Sequence, residues 1–361
     1  MKKANIILAA LALAVSGSMA TAQEVRVYNW SDYIDDSILE DFKNETGITV
    51  VYDVFDSNEV LETKLLAGST GYDVVVPTAS FLSRQIQAGV FQPLDKAKLP
   101  NLKNMWPEIQ ERTAAYGPLN DYSINYMWGT TGIGYNTAKI KELLGLDAIT
   151  SWDVVFKPEN LAKLKDCGVM MLDAPDEIIP AALNYLGIDP NTSNPDDLQK
   201  AEDLLLSIRP SVRKFHSSEY INALANGDIC LAVGWSGDML QARDRAAEAD
   251  AGVEIAYAIP QEGALMWFDQ MAIPTDAPNA ENALKFLDYM MRPEVIAKAS
   301  NYVFYANGNK ASQPLLEKDL IEDPAVYPDE DTLKRLYVKL AYDPKTQRLA
   351  TRLWTKVTTG Q

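Results

Sequence analysis

VRVYNWSDYIDDSILEDFKNETGITVVYDV, residues 25–54, switches hydrophobic period twice. Residues 25–28 read as a strand, 34–45 carry apolar side chains at helical spacing, and 48–54 return to a β-branched run. Working outward, the pattern predicts a helix over 59–67, a short apolar strand over 73–76 and a helix over 82–88. That alternation predicts an α/β fold with a mostly parallel sheet covered by helices on both faces. A second unit of the same kind runs from about Ile133 to Val253, with strands at 169–172 and 229–233 and a helix over 198–207. The tail from Asp276 reads as helical, punctuated by Pro293, Pro314, Pro324 and Pro328. No Gly/Ser linker separates the units; two extended segments, 126–135 and 255–273, are the expected crossovers. Two crossings imply a first lobe of 23–130 completed by about 256–310, and a second of 131–255 completed by about 311–361. A ligand cleft is then expected between the lobes, at the carboxyl ends of their strands.

The 361 residues are about twice an ordinary domain, which fits two lobes. Lys and Arg total 33 against 50 Asp and Glu, a net charge of −17. Nucleic-acid binding needs cationic surface and falls away. Lys2 and Lys3, the apolar run Ile6–Val15 and Ala20-Thr21-Ala22 form a signal peptide, residues 1–22, with cleavage expected after Ala22. No cysteine near that site offers a lipid anchor, and no later stretch approaches ~18 uninterrupted apolar residues, so no stable membrane anchoring is expected. The protein is expected in the periplasm, as a monomer; a secreted soluble protein is the alternative. In an oxidising compartment the two cysteines, Cys167 and Cys230, are expected to form a structural disulfide.

Much chemistry is excluded by inventory. Gly234-Trp235-Ser236-Gly237 is one residue short of a nucleophile elbow, and Gly132-Ile133-Gly134 lacks the third glycine of a dinucleotide fingerprint. The single histidine, His216, precedes a helical run from Tyr220 and reads as a helix-start residue rather than a catalytic base. Asp329-Glu330-Asp331 lacks the spacing and glycine of a calcium loop, and no Tyr-Tyr pair suggests iron. No metal and no cofactor is expected. A carboxylate-pair hydrolase using Glu177 and Asp269 stays open at this point, because acids are plentiful.

Four strand-to-loop segments set aromatics or acids side by side: Tyr28–Tyr33, Asp173–Glu177, Gly234–Asp238 and Met266–Asp269. A Trp after a strand is commonly a core lid and an acid there commonly a helix cap. Four such segments converging on one cleft ask for more. Aromatic faces attract cations, and carboxylates give charge-assisted hydrogen bonds to ammonium groups. Asp32, Glu177, Asp238 and Asp269 have no basic residue in their own segments, so a buried cluster of them needs a positively charged ligand. A linear polyamine, cationic with an apolar stem, meets every requirement.

Over essentially the whole exported chain the sequence resembles the periplasmic putrescine/spermidine-binding proteins of polyamine ABC transporters, the putrescine-binding branch above all. The resemblance rests on residues 27–34, 51–59, 131–136, 226–230 and 303–307. It implies a type II periplasmic-binding-protein fold, two α/β lobes with two crossover hinge segments, and a non-enzymatic function: the cleft captures a polyamine and delivers it to an inner-membrane ABC permease met transiently. A sensor presenting polyamine for signalling is the alternative. Residue by residue, it implies an aromatic box of Trp30, Tyr33, Trp235, Trp267 and Tyr305, with Asp238 and Asp269 on one terminal ammonium. Ser31, Asp32 and Glu177 are implied at the other end or at an inner amine, with Asp176 the neighbour that competes with Glu177. Thr78 stands where the branch has serine and keeps the hydroxyl, and Cys167 and Cys230 fall where the branch has its disulfide. Trp267 stands where the putrescine branch has Phe and the spermidine branch Trp, which implies that spermidine is taken at least as readily as putrescine.

Overall fold

A computed structural model describes residues 23–250 and 252–360; the expected signal peptide and its expected cleavage after Ala22 lie outside them. Ten strands run as β1 (Glu24–Trp30), β2 (Thr49–Phe55), β3 (Val74–Val75), β4 (Ser123–Asn136), β5 (Val169–Met171), β6 (Lys214–Phe215), β7 (Leu231–Trp235), β8 (Ile255–Ala258), β9 (Leu265–Ala272) and β10 (Ala306–Asn307). They form one sheet in the order β2-β1-β3-β9-β4-β7-β5-β6, with β8 and β10 also paired to β4. The flanks are parallel: β1 with β2 and β3, β5 with β6 and β7. The centre is antiparallel, because β9 runs against β3, and β4 runs against both β9 and β7. The sheet is therefore mixed, where the alternating pattern predicts a mostly parallel one. The cause is β4, which at ~3.3 Å per residue is roughly 46 Å long and serves both halves.

Two hydrophobic cores lie on that strand. Ile124, Tyr126 and Trp128 of β4 belong to the first, with β1, β3 and β9 and with Leu316, Leu320 and Val326 from the tail. Ile133 and Tyr135 belong to the second, with β5, β7 and the C-terminal helix Pro344–Thr359. Trp235, at the end of β7, packs against both. The molecule is thus an α/β fold with two lobes and two crossovers, β4 and the β8–β9 segment. Tail residues 316–326, expected in the second lobe, pack instead in the first core, while the helix Pro344–Thr359 packs in the second.

Local rules account for the element ends that reach the space between the cores. The helix Asp36–Thr46 starts after Asp35, whose Oδ1 accepts from the Ser37 N–H at 2.9 Å, and stops at Gly47 in the left-handed region (φ 73°). Ile38 and Phe42, one turn apart, are its buried face. Tyr33 and Ile34 are therefore freed from the helix, and Tyr33 turns inward. Cys167 and Cys230, 63 positions apart, are disulfide-bonded and tie the entry of β5 to that of β7.

Candidate functional site

The carboxyl ends of β1, β3, β5 and β7 open into the space between the cores, and β9 crosses its floor. Trp30 ends β1, and its indole donates to the Val76 carbonyl at 2.9 Å, which fixes the ring across the cleft. Trp235 ends β7 and meets Trp30 edge-on with centroids 5.5 Å apart. Trp267 projects from β9 against Tyr305 (5.2 Å), and Tyr305 against Tyr33 (5.3 Å). Two glycines make room for these rings. A Cβ on Gly237 would lie 2.5 Å from the Tyr305 ring, and one on Gly129 would lie 2.7 Å from that of Trp267.

Three buried carboxylates sit among the rings, each held by hydroxyl or indole donors. Asp269 takes the Tyr33 hydroxyl on Oδ2 (2.8 Å) and the Thr78 hydroxyl on Oδ1 (2.7 Å). Asp238, in the first turn of the helix Ser236–Glu248, takes Tyr220 on Oδ2 (2.6 Å) and Tyr305 on Oδ1 (2.7 Å). Glu177, in the first turn of Pro175–Tyr185, takes the Thr131 hydroxyl on Oε2 and the Trp235 indole on Oε1 (3.4 Å). Helix N-termini favour negative charge, and so do these donors. Burial outweighs both: it pushes Glu177 up to about 7, Asp238 to about 6 and Asp269 to about 7. The Asp238 charge raises Asp269 further, and the Asp269 charge does the same to Glu177.

Two adjoining cavities share Trp30, Glu177, Trp235 and Trp267 in their walls. The near one is also lined by Ser31, Tyr33, Thr78, Asp238, Asp269 and Tyr305. Ten of the eleven expected ligand residues are thus brought to one place, on two sides of one cleft. Asp32 is the one set apart. With φ 53° it turns in the left-handed region, and its Oδ1 takes Arg245 Nη2 at 2.8 Å on the rim. Asp176 lines the far cavity beside Glu177, with Arg84 Nη1 at 3.7 Å. His216 Nδ1 accepts from the backbone N–H of Ser218 (3.1 Å) and Glu219 (3.2 Å), as a helix-start residue does.

Sequence reasoning missed Asp56 and Ser217, which line both cavities, and Tyr220, the second hydroxyl on Asp238. Asp56 follows directly on β2 and the strand-end rule extends to it. Arg245 lies two helical turns after Asp238, hence on the same helix face, which was a readable signal. Chemically, the near cavity offers a dication two ends and an aromatic sleeve. No lysine or arginine lines it among the described residues.

Comparison with known proteins agrees with this picture. The chain is 54% identical over 355 residues to the putrescine-binding periplasmic protein PotF of Escherichia coli, covering 98% of this chain and 96% of that protein. It is 54% identical over 358 residues to the putrescine-binding periplasmic protein SpuD of Pseudomonas aeruginosa, covering 97% and 98%. The solved spermidine/putrescine ABC transporter substrate-binding protein PotD from Streptococcus pneumoniae superposes with a TM-score of 0.76 at 31% identity, over 94% of this chain and 99% of that one. The family model for bacterial extracellular solute-binding proteins matches residues 37–328. With its two-core α/β architecture and interlobe cleft, the chain belongs to the bacterial extracellular solute-binding proteins.

Proposed function

We propose that this protein captures a linear polyamine in the periplasm and delivers it to an ABC importer, without chemical turnover. The carrying observation is the near cavity: three buried carboxylates, walled by five aromatic rings, with burial holding all three well above the ordinary carboxylate range. Empty, that cluster is held partly protonated by its own burial. A diammonium ligand neutralises it, buries its methylenes against the rings and draws the lobes together. Trp30, Ser31, Tyr33, Thr78, Glu177, Trp235, Asp238, Trp267, Asp269 and Tyr305 are the contacts in this reading, and Asp32 acts from the rim through Arg245. The segments between the cores, in β4 and between β8 and β9, are the hinges. The names of the relatives, binding proteins for putrescine or spermidine, support the ligand class.

Calorimetric titration of refolded, polyamine-free protein with putrescine, spermidine and leucine tests it. One-to-one binding of an amine, recovered intact, and no heat with leucine is the expected result. No heat and no thermal stabilisation from either amine overturns the ligand assignment.

A further inference from the structure

The far cavity, unlike the near one, contains a cation of the protein's own. Lys339, from the tail after the second crossover, lines it and is 3% exposed. Its ammonium donates to the Leu340 carbonyl and lies 3.3 Å from the Tyr342 ring centroid, so it is fixed rather than free to swing into solvent. The acids lining this end are Glu59 and Asp176, beside the shared Asp56 and Glu177. Arg84, the other cation near Asp176, is already taken by Glu62 through Nε (2.6 Å) and Nη2 (2.7 Å). Asp176 keeps Arg84 Nη1 at 3.7 Å as its ion-pair neighbour and has one carboxylate oxygen without a hydrogen-bond partner, while the buried Lys339 ammonium shares its field without bonding to it.

The two halves of the cleft are thus unequal. The near half lacks any positive charge among its described lining residues. The far half already holds one. We propose that Lys339 sets the length of ligand this cleft accepts: its ammonium stands where a triamine would bring a third positive charge, so diamines are selected over triamines. The inference rests on the polyamine reading above and narrows it. It also reverses the expectation drawn from Trp267, because a wider aromatic wall does not remove a buried like charge. Burial lowers Lys339 to about 8, which leaves it mainly charged at pH 7.

The test is titration of polyamine-free protein at pH 7 with putrescine and spermidine, for the wild type, Lys339→Met and Lys339→Arg. The wild type is expected to prefer putrescine by about tenfold or more, a like-charge penalty at an effective protein dielectric. Lys339→Met, which keeps the stem volume, shifts the ratio about tenfold or more toward spermidine, and Lys339→Arg, which keeps the charge, retains the preference. A wild type that binds spermidine as tightly as putrescine overturns the proposal without any variant. So does a Lys339→Met protein with an unchanged ratio. Those outcomes leave putrescine binding intact, whereas a wild type that binds neither amine removes the polyamine reading itself.

Discussion

Replacing Asp269 with asparagine is expected to weaken putrescine binding by about 2–5 kcal/mol, thirtyfold or more, while leaving the ligand-free protein at pH 8 at least as stable as its parent. The two signs come from one cause. Asp269 is 4% exposed, and both of its oxygens already accept a hydroxyl hydrogen, from Tyr33 and from Thr78. Those neutral donors do not offset burial, and its carboxyl stays up at about 7. An acid raised in the folded state carries a penalty that is absent below its unfolded value near 4 and present in full above about 7. At pH 8 the parent bears that penalty until a ligand ammonium removes it. Asparagine keeps the shape and gives up the charge. Its amide must then donate to Tyr33 or Thr78, and either hydroxyl can accept. Titration and urea unfolding on the same preparation check both halves. If binding and stability fall together, Asp269 is a structural residue and not an ammonium ligand.

How far the sequence reached is clearest at these side chains. Trp30 and Trp235 end strands and Asp238 and Glu177 follow them, and a strand end in an α/β lobe has only one place to point, so local pattern located them. Trp267 and Asp269 sit within β9, and an extended crossover between lobes must border whatever lies between them. The parallel flanks were legible for the same reason: each β-run is followed by a helical run. The antiparallel centre was not, because nothing local in 123–136 says that one strand pairs with β7, β8, β9 and β10. Asp32 shows the other limit. Its own segment has no basic residue, yet Arg245 from across the cleft takes its carboxylate. Lys339, one of five positive side chains between 334 and 348, gave no sign in sequence that it alone would be buried at the end of the cavity. Charge pairing across the cleft is set by the packing of distant segments, which periodicity does not encode.

Putrescine binding is expected to release protons near neutral pH and to weaken steeply in acid. In the closed, ligand-free cleft Glu177 and Asp269 sit at about 7 and Asp238 at about 6. At pH 7 the three acids therefore share protons among them, whereas a dication requires them ionised. Aliphatic ammonium groups, with pKa near ~10, stay charged throughout, so the ligand contributes nothing to the pH dependence in this range. Each proton displaced on binding makes the dissociation constant change about tenfold per pH unit. With one to two displaced, affinity is expected to fall roughly a hundredfold or more from pH 7 to pH 5 and to level off above pH 8. The direction follows from the raised values: the binding-competent, ionised form is fully present only well above 7 and is lost as pH falls through 7 and 6. Titration in two pH 7 buffers of different ionisation enthalpy counts the released protons directly, and dissociation constants from pH 5 to 8 give the slope. A flat profile with no proton release would mean that the acids meet the ligand already ionised. The ligand-free cleft would then stand open to water, its self-repulsion having been relieved by hinge opening rather than by protonation.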